Sequence, residues 1–399
     1  MERKKKRKRI RVEFVRVLPA MEALKKEAGN LRHTFPVPPF RDMVVNLEQL
    51  ASFHRAVLRL SRNVVFLGSS EIILFLQNFF REYVLSGNGD QFFYFCSDSD
   101  LVLLEKLITS LPPAETLGVI LSRRVEEFKF LTLSFVFPWK RVFLGSAHGI
   151  LAEAARIIFY PFFPVEDGYH YFWHRGALLY LPLLCLGIRV EELEQGLIAG
   201  YPLLQEEAML MSLLLLRNEV GWKEVCFLVD NQFLLTLLQS FLPLLEKSCR
   251  GEKSMGFKVR DSLFFWDTCR DWSFWKEDSA STLFVVIRSE GDKQCLPFRF
   301  PPQLQEEFFF EEWALLNRVS FCRLHQAENL ALLSLLQGAG ISWLELVYHQ
   351  SGLEMVGQMV AFFHQWACYN AWLRGLDLLS DPPISGFEGM VRKFLKKDR

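Results

Sequence analysis

The stretch from residue 63 to residue 131 alternates short apolar runs with polar turns and amphipathic segments. Residues 63–67 are apolar and lead into a Gly-Ser-Ser turn, after which apolar side chains recur at helical spacing across residues 71–83. The alternation repeats across residues 91–111, and residues 116–121 form a further apolar run. Runs that are apolar on both faces are typical of parallel strands covered by helices on two sides. The pattern therefore predicts an α/β fold built on a parallel sheet.

A second alternation of the same kind begins after residue 200. Residues 223–229 and 283–287 are apolar runs, and residues 231–245 have helical spacing between them. We expect residues 304–379 to be helical, because clear breaks occur only near residues 338–340 and at Gly352. The chain is thus predicted to hold two α/β halves and a helical C-terminal segment.

Length and these patterns divide the chain into three parts. Residues 1–60 are predicted to form a basic arm and lead-in helices, residues 61–200 the first α/β domain, and residues 201–399 the second domain with the helical C-terminal segment. Within the first domain we expect residues 161–171 to form a loop. Residues 1–11 are strongly basic and fit either a disordered arm or a tail that binds a membrane surface or nucleic acid.

Charge and cysteine content argue against several classes of protein. The 399 residues include 46 acidic and 46 basic side chains, so no net field favours a nucleic-acid partner, and none is expected. No apolar run reaches the roughly 18 to 20 residues needed to cross a bilayer, so no membrane partner is expected. The eight cysteines lie mostly in apolar runs and form no C-x-x-C pair, which is typical of buried thiols in a reducing compartment. We therefore expect a cytoplasmic protein.

Ligands of parallel α/β sheets bind beyond the carboxyl ends of the strands. In this chain those ends fall at residues 68–70 and 122–124, where glycine, serine and arginine follow apolar runs. These two turns are the predicted binding site of the first half.

Several stretches, in sequence order, resemble the phosphoglucose isomerase family, whose two halves are sugar isomerase (SIS) domains. The best likeness is in residues 91–100 and 111–122, which resemble the family's apolar strand with an Asx-rich turn and its Leu-Asp-Pro-x-x-Thr-Leu strand. Other likenesses lie at residues 63–70, 181–188, 241–252, 267–278 and 381–393. The resemblance implies two SIS-like halves and a homodimer whose active-site cleft borrows from both subunits. It also implies a sugar phosphate ligand, no cofactor, and a place in glycolysis and gluconeogenesis.

The family binds phosphate with a Ser-Lys-Ser-Gly-Thr-Thr loop at a helix start, where hydroxyls and free backbone N–H groups suit a dianion. The matching residues here read SRRVEE, so one serine remains, and Glu126 and Glu127 replace two threonines. The two arginines of this loop could hold a phosphate bidentately, whereas the carboxylates would oppose it. The family's Gly-Ile-Gly-Gly-Ser turn keeps one glycine and one serine. The resemblance thus assigns phosphate binding to Gly68, Ser70, Ser122, Arg123 and Arg124.

The acid–base residues of the family are replaced in this chain. The family's catalytic Glu falls on Ser248, which cannot act as a base unaided, although a two-residue slip of the alignment would bring Glu246 to that position. The family's ring-opening His falls on Cys269, and its C-terminal Lys falls on Val391. None of these three replacements can perform the proton transfer of the residue it replaces.

Two further groups of residues have other interpretations. His170 and His174 are four apart, but the aromatic and loop character around them argues against a helical metal pair, so no metal site is predicted. Trp266, Trp272 and Trp275 alternate with charged residues, which fits either a sugar-stacking surface or an interface.

Two functions of different class follow from the resemblance. The first is a catalytically degenerate member of the family that binds a phospho-sugar or a protein partner without converting it. The second is an active aldose–ketose isomerase that interconverts glucose 6-phosphate and fructose 6-phosphate, with Glu246 or another displaced carboxylate as the base. The loss of several acid–base groups, each typically worth roughly 10²- to 10⁴-fold in rate, favours the first.

Overall fold

The structure is a computed structural model, and it describes residues 10–15, 21–31, 46–58, 61–83, 91–123, 126–165, 172–217, 221–229, 231–250, 255–261, 280–290, 321–349 and 352–378. Its elements in chain order are β1 (Ile10–Val15), α1 (Met21–Leu31), α2 (Leu47–Phe53), β2 (Asn63–Gly68), α3 (Ser70–Tyr83), β3 (Phe92–Ser97), α4 (Leu101–Ser110), β4 (Thr116–Leu121), α5 (Glu127–Ser134), β5 (Lys140–Ser146), α6 (Ile150–Ile158), β6 (Phe162–Val165), α7 (Ala177–Cys185), α8 (Val190–Leu203), α9 (Gln205–Arg217), β7 (Glu224–Val229), α10 (Gln232–Ser248), β8 (Gly256–Asp261), β9 (Thr282–Ser289), α11 (Phe321–Gly338), β10 (Trp343–Tyr348) and α12 (Leu353–Leu373). Short helical turns occupy His54–Leu58 and Pro113–Glu115.

Two five-stranded sheets form the framework. The first has the strand order β3-β2-β4-β5-β6, and its strands are all parallel. The second has the order β1-β10-β9-β7-β8 and is parallel except for β1, which pairs antiparallel with β10. Strands β2, β4 and β10 are buried along their whole length, as strands covered on both faces must be. The predicted α/β fold, with two sheets flanked by helices and a helical C-terminal segment, is confirmed.

The segment 304–379, which is predicted to be helical, contains the strand β10. This strand lies between β9 and β1 in the second sheet. Its Glu345 is buried, and Oε2 of that side chain accepts a hydrogen bond from Arg288 Nε on β9 at 2.8 Å. Pairing with strands that are distant in sequence decides the conformation here, and local spacing of apolar residues does not report it.

Two other strands also differ from the sequence-based expectation. Strand β6 occupies part of the segment 161–171, which is predicted to be a loop, and it pairs with β5 over only four residue pairs. Strand β1 includes residues 10 and 11, which are expected in the basic arm, and it covers the edge of the second sheet beside β10. Both are edge strands whose short sequences gain their hydrogen bonds from one neighbour only.

Helices α8 and α12 cross where both carry glycine. A Cβ on Gly196 of α8 would lie 2.0 Å from Glu354 O, and a Cβ on Gly357 of α12 would lie 2.1 Å from Leu193 O. Backbones can approach this closely only where a side chain is missing. The contact joins a helix of the first predicted domain to the C-terminal helix of the second, and the predicted division at residue 200 stays a prediction.

Among the described residues, no helix combines the length and the apolar character of a membrane span.

Candidate functional site

The carboxyl ends of β2 and β4 meet at one edge of the first sheet, because the two strands are paired in parallel. Gly68 ends β2, and a Cβ at this position would lie 3.3 Å from the backbone oxygen of the last residue of β4. Ser70 begins α3, and Ser122 and Arg123 follow β4 directly. The structure therefore brings together these four predicted phosphate-binding residues, whereas Arg124 lies outside the described residues. Together with Ser69, the four residues form what we call the strand-end site.

Arg123 is the cation of the strand-end site, and two carboxylates hold its side chain. Its Nη1 donates to Glu71 Oε2 at 3.1 Å. Its Nη2 donates to Glu126 Oε1 and, at 3.5 Å, to Ser69 Oγ. Burial opposes the charge of the guanidinium, but Glu126 and Glu71 outweigh that effect and raise the pKa of Arg123. This arginine is therefore charged and already paired within the protein.

The two carboxylates are anchored differently. Glu71 accepts a hydrogen bond from Trp173 Nε1 at 3.1 Å through Oε1 and the bond from Arg123 through Oε2. Burial raises the pKa of Glu71, and Arg123 opposes that rise. In the described part of the chain, the carboxylate of Glu126 accepts hydrogen bonds from Arg123 alone, from Nη2 and from the backbone N–H at 3.5 Å. Glu71 is thus fixed by a third group, and Glu126 is not.

Seryl hydroxyls continue from the strand-end site towards β3. Ser70 Oγ lies 2.9 Å from Ser99 Oγ, and Ser97 Oγ lies 2.9 Å from the same atom. Between these serines, Asp98 Oδ2 accepts a hydrogen bond from Lys129 Nζ at 2.6 Å. Hydroxyls can donate or accept, so this row of side chains suits the hydroxyl groups of a sugar as well as the oxygens of an anion.

Glu127 is buried at the start of α5, and its carboxylate lies against the start of α6. Its Oε1 accepts a hydrogen bond from Ser146 N at 2.7 Å, and its Oε2 accepts one from Leu151 N at 3.3 Å. A Cβ on Gly149 would lie 1.8 Å from Oε2, so this approach requires glycine. The carboxylate satisfies backbone donors at a helix N-terminus, where a negative charge is stabilised by the helix dipole.

The residue at the family's base position is bound within its own helix. Ser248 is fully buried, and its Oγ donates to Leu245 O at 2.6 Å. Asn370 Nδ2 lies 3.5 Å from the same oxygen. Glu246, two residues earlier, is exposed, which at helical geometry places it on a different face of α10 from Ser248.

The other two predicted catalytic positions, Cys269 and Val391, lie outside the described residues. The same holds for His170 and for the tryptophans at positions 266, 272 and 275. In the described ranges, no group of three or more His, Cys, Asp and Glu side chains is placed to hold a metal ion.

A buried histidine pair, His174 beside α10 and His364 on α12, is not predicted by the sequence analysis. The His174 ring stacks between Trp173 and Phe241, with ring centroids 4.2 and 4.0 Å away, and His364 on α12 lies 5.7 Å away. His174 Nε2 is 2.7 Å from Ser240 Oγ. Burial lowers the pKa of both histidines well below 6.5, so both are neutral. The sequence FWH, in which a histidine follows two aromatic residues, is the signal that could have indicated a histidine packed among aromatic rings.

Arg175, next to His174, forms a buried ion pair with Glu194. Its Nη2 donates to Glu194 Oε1 at 2.7 Å, and Tyr180 OH donates to Glu194 Oε2 at 2.5 Å. The guanidinium carbon also lies 5.8 Å from the centroid of the Tyr201 ring. The arginine side chain is only 3% exposed, so this pair belongs to the packing between α7 and α8.

Comparison with known proteins shows similarity in structure but not in sequence. No family model matches the chain, and no curated protein matches it. A hypothetical protein from Thermus thermophilus superposes with a TM-score of 0.77 at 18% identity, over 97% of this chain and 99% of that one. A glucose-6-phosphate isomerase from Chlamydia trachomatis superposes with a TM-score of 0.61 at 14% identity, over 88% of this chain and 72% of that one.

A putative tagatose-6-phosphate ketose/aldose isomerase from Clostridium novyi has a TM-score of 0.50 at 14% identity, over 91% of this chain and 89% of that one. At such identities a likeness establishes a shared fold and leaves the function to be argued from the site. The chain has the SIS fold, with two SIS-like halves.

Proposed function

We propose that this chain is a sugar-phosphate-binding protein of the SIS fold that does not catalyse aldose–ketose isomerisation. The observation that carries the proposal is the position of Arg123 at the carboxyl ends of β2 and β4, beside the hydroxyl of Ser69 and the first turn of α3. Parallel α/β sheets bind their ligands at such an edge. A guanidinium beside hydroxyls and a helix start offers the donors that a phosphate monoester needs.

The hydroxyl row beside the strand-end site supports a sugar as the rest of the ligand. Ser70, Ser97 and Ser99 are linked at 2.9 Å and are at least partly exposed, so the solvent-facing side of the row can exchange hydrogen bonds with a ligand. Two structural neighbours, a glucose-6-phosphate isomerase and a putative tagatose-6-phosphate ketose/aldose isomerase, are consistent with this class of ligand.

The absence of turnover is inferred from the residue at the family's base position. Aldose–ketose isomerisation needs a base within hydrogen-bond reach of the substrate carbon acid, and Ser248 is buried and donates to its own helix. Loss of one such group typically costs roughly 10²- to 10⁴-fold in rate. We therefore expect binding without conversion. The homodimer implied by the family resemblance also stays a prediction.

The test combines a coupled assay of fructose 6-phosphate conversion with calorimetric titration of the same ligand. We expect no turnover above the rate without protein, and saturable binding that Arg123→Gln abolishes. Arg189→Gln is the matched control, because Arg189 is 78% exposed at the start of α8 and pairs only with the nearby Glu192 among the described residues. Turnover that disappears in Glu246→Gln would overturn the proposal and restore the isomerase hypothesis with Glu246 as its base.

A further inference from the structure

The carboxylate of Glu126 occupies the donors of the strand-end site that an anion would use. One of its oxygens accepts from Arg123 Nη2, and the other faces the Arg123 backbone N–H at 3.5 Å. A side-chain N–H and a backbone N–H of one loop residue are the kind of donors that hold phosphate oxygens at strand ends. The carboxylate of Glu126 therefore takes the place that the phosphate of a ligand would occupy.

Of the two carboxylates that accept hydrogen bonds from Arg123, Glu126 is the one that can move away from the guanidinium. Glu71 also accepts a hydrogen bond from Trp173 Nε1 at 3.1 Å. It therefore keeps its position when Arg123 Nη2 exchanges Glu126 for another acceptor. Glu126 is bound to a residue three positions earlier in the same loop, and its side chain is 17% exposed. Rotation of its side chain towards solvent would free Nη2 and the backbone N–H of Arg123 and, among the described residues, would break no side-chain hydrogen bond to a distant element.

We propose that Glu126 is an internal competitor for the strand-end site, which a phosphate monoester must displace from Arg123 in order to bind. The inference rests on the proposed function for the identity of the ligand, and it adds how the affinity of that site is set. A carboxylate and a phosphate exclude one another at Arg123, because both need the same donors and both carry negative charge. Glu71 remains in either state and keeps the guanidinium in place.

The experiment compares the wild type with Glu126→Gln by titration calorimetry, using inorganic phosphate, fructose 6-phosphate and fructose as separate probes. Glutamine keeps the size of the side chain but removes its charge, so we expect roughly tenfold tighter binding of both phosphate ligands, as for loss of a competing charged hydrogen bond. Fructose carries no charge and should bind equally to both proteins.

Glu105→Gln is the matched control for the change in net charge. Glu105 is exposed on α4, a helix that contacts β3 of the same sheet, so removing its charge leaves Arg123 and its partners untouched. A thermal melt of each variant establishes that it is folded, and Glu126→Asp provides a second test. Aspartate keeps the charge but has a shorter side chain, and we expect an affinity between those of the wild type and Glu126→Gln.

The outcomes separate the two proposals. Equal affinity of the wild type and Glu126→Gln for fructose 6-phosphate would overturn the competitor role and leave sugar-phosphate binding intact. Tighter binding of inorganic phosphate by Glu126→Gln, with no preference for fructose 6-phosphate, would support the competitor role and overturn the proposed function. An equal gain in phosphate affinity in Glu105→Gln would show that the effect comes from net charge alone, and would overturn the competitor role. No binding of any phosphate ligand by any of these proteins would overturn both proposals.

Discussion

Two of the arginines that pair with glutamate, Arg175 and Arg123, differ in how the partner is held. Arg175 is 3% exposed, and its partner Glu194 lies on another element and also accepts a hydrogen bond from Tyr180. Arg123 is 14% exposed, and its partner Glu126 stands in the same loop and is held by Arg123 itself. A pair that is buried and anchored by a third group can only be lost together with packing, whereas a partly exposed pair within one loop can exchange for a ligand.

The largest effect is expected at Glu194. Glu194→Gln removes the charge that compensates a buried guanidinium, and we expect the free energy of unfolding to fall by about 3 to 5 kcal/mol. Glu192→Gln on the same helix is the control, since Glu192 is 40% exposed and pairs with an exposed arginine, and about 1 kcal/mol or less is expected. Urea unfolding followed by circular dichroism measures both. Equal losses in the two variants would show that the buried pair has no special role.

The next largest effect is expected where α12 contacts α8, the helix that carries Glu194. Gly357→Ala would place a Cβ 2.1 Å from Leu193 O, so α12 must move away from α8, at a cost of about 1 to 3 kcal/mol or more. Gly338→Ala, at the end of α11, is the control, because no neighbouring atom of the described residues lies within 4 Å of a Cβ there. Thermal melts of both variants test this. A stable Gly357→Ala variant would contradict the close approach of the two helices.

The buried histidines should make stability depend on pH. The pKa of His174 and of His364 is lowered in the folded state, so below pH 6.5 the unfolded chain binds protons that the folded chain does not. The stability of the fold is thus full above pH 6.5 and falls as the pH drops below it, by about 1.4 kcal/mol per pH unit for each histidine.

Urea unfolding at several pH values between 5 and 8 measures this dependence. Replacing His364 by Gln should make the slope below pH 6.5 shallower, whereas replacing the exposed His148 by Gln should leave that contribution in place. A slope that is the same in all three proteins would mean that other groups cause it.

The smallest expected effect is at Glu126, and it sharpens the contrast with Glu194. Glu126→Gln removes a partly exposed pair within one loop, and we expect the free energy of unfolding to change by about 1 kcal/mol or less. The measurement is the same urea titration as for Glu194→Gln. A loss as large as the one at Glu194 would show that Glu126 holds the fold, and would leave it no freedom to exchange for a ligand.

Much of the first half could be predicted because its signals are local. Strands β2 and β4 are continuous apolar runs that end at polar turns, and parallel pairing then places Gly68, Ser70 and Arg123 at one edge. Strand β10 could not be predicted in this way. Its residues take extended conformation because β9 and β1 offer hydrogen bonds on both sides, and a helical interpretation of the same residues violates no local rule.

The local apolar patterns of the sequence were sufficient to predict the fold class and the strand ends that form the candidate site, whereas the loss of the acid–base residues at family-matching positions stays a prediction. The electrostatic state of that site, in contrast, depends on the tertiary structure. Arg123 meets Glu71 from 52 residues away, and Trp173 reaches Glu71 across 102 residues. Periodicity is a property of neighbouring residues, whereas burial and ion pairing depend on which distant elements pack together, and that packing makes one arginine structural and leaves the other open to exchange.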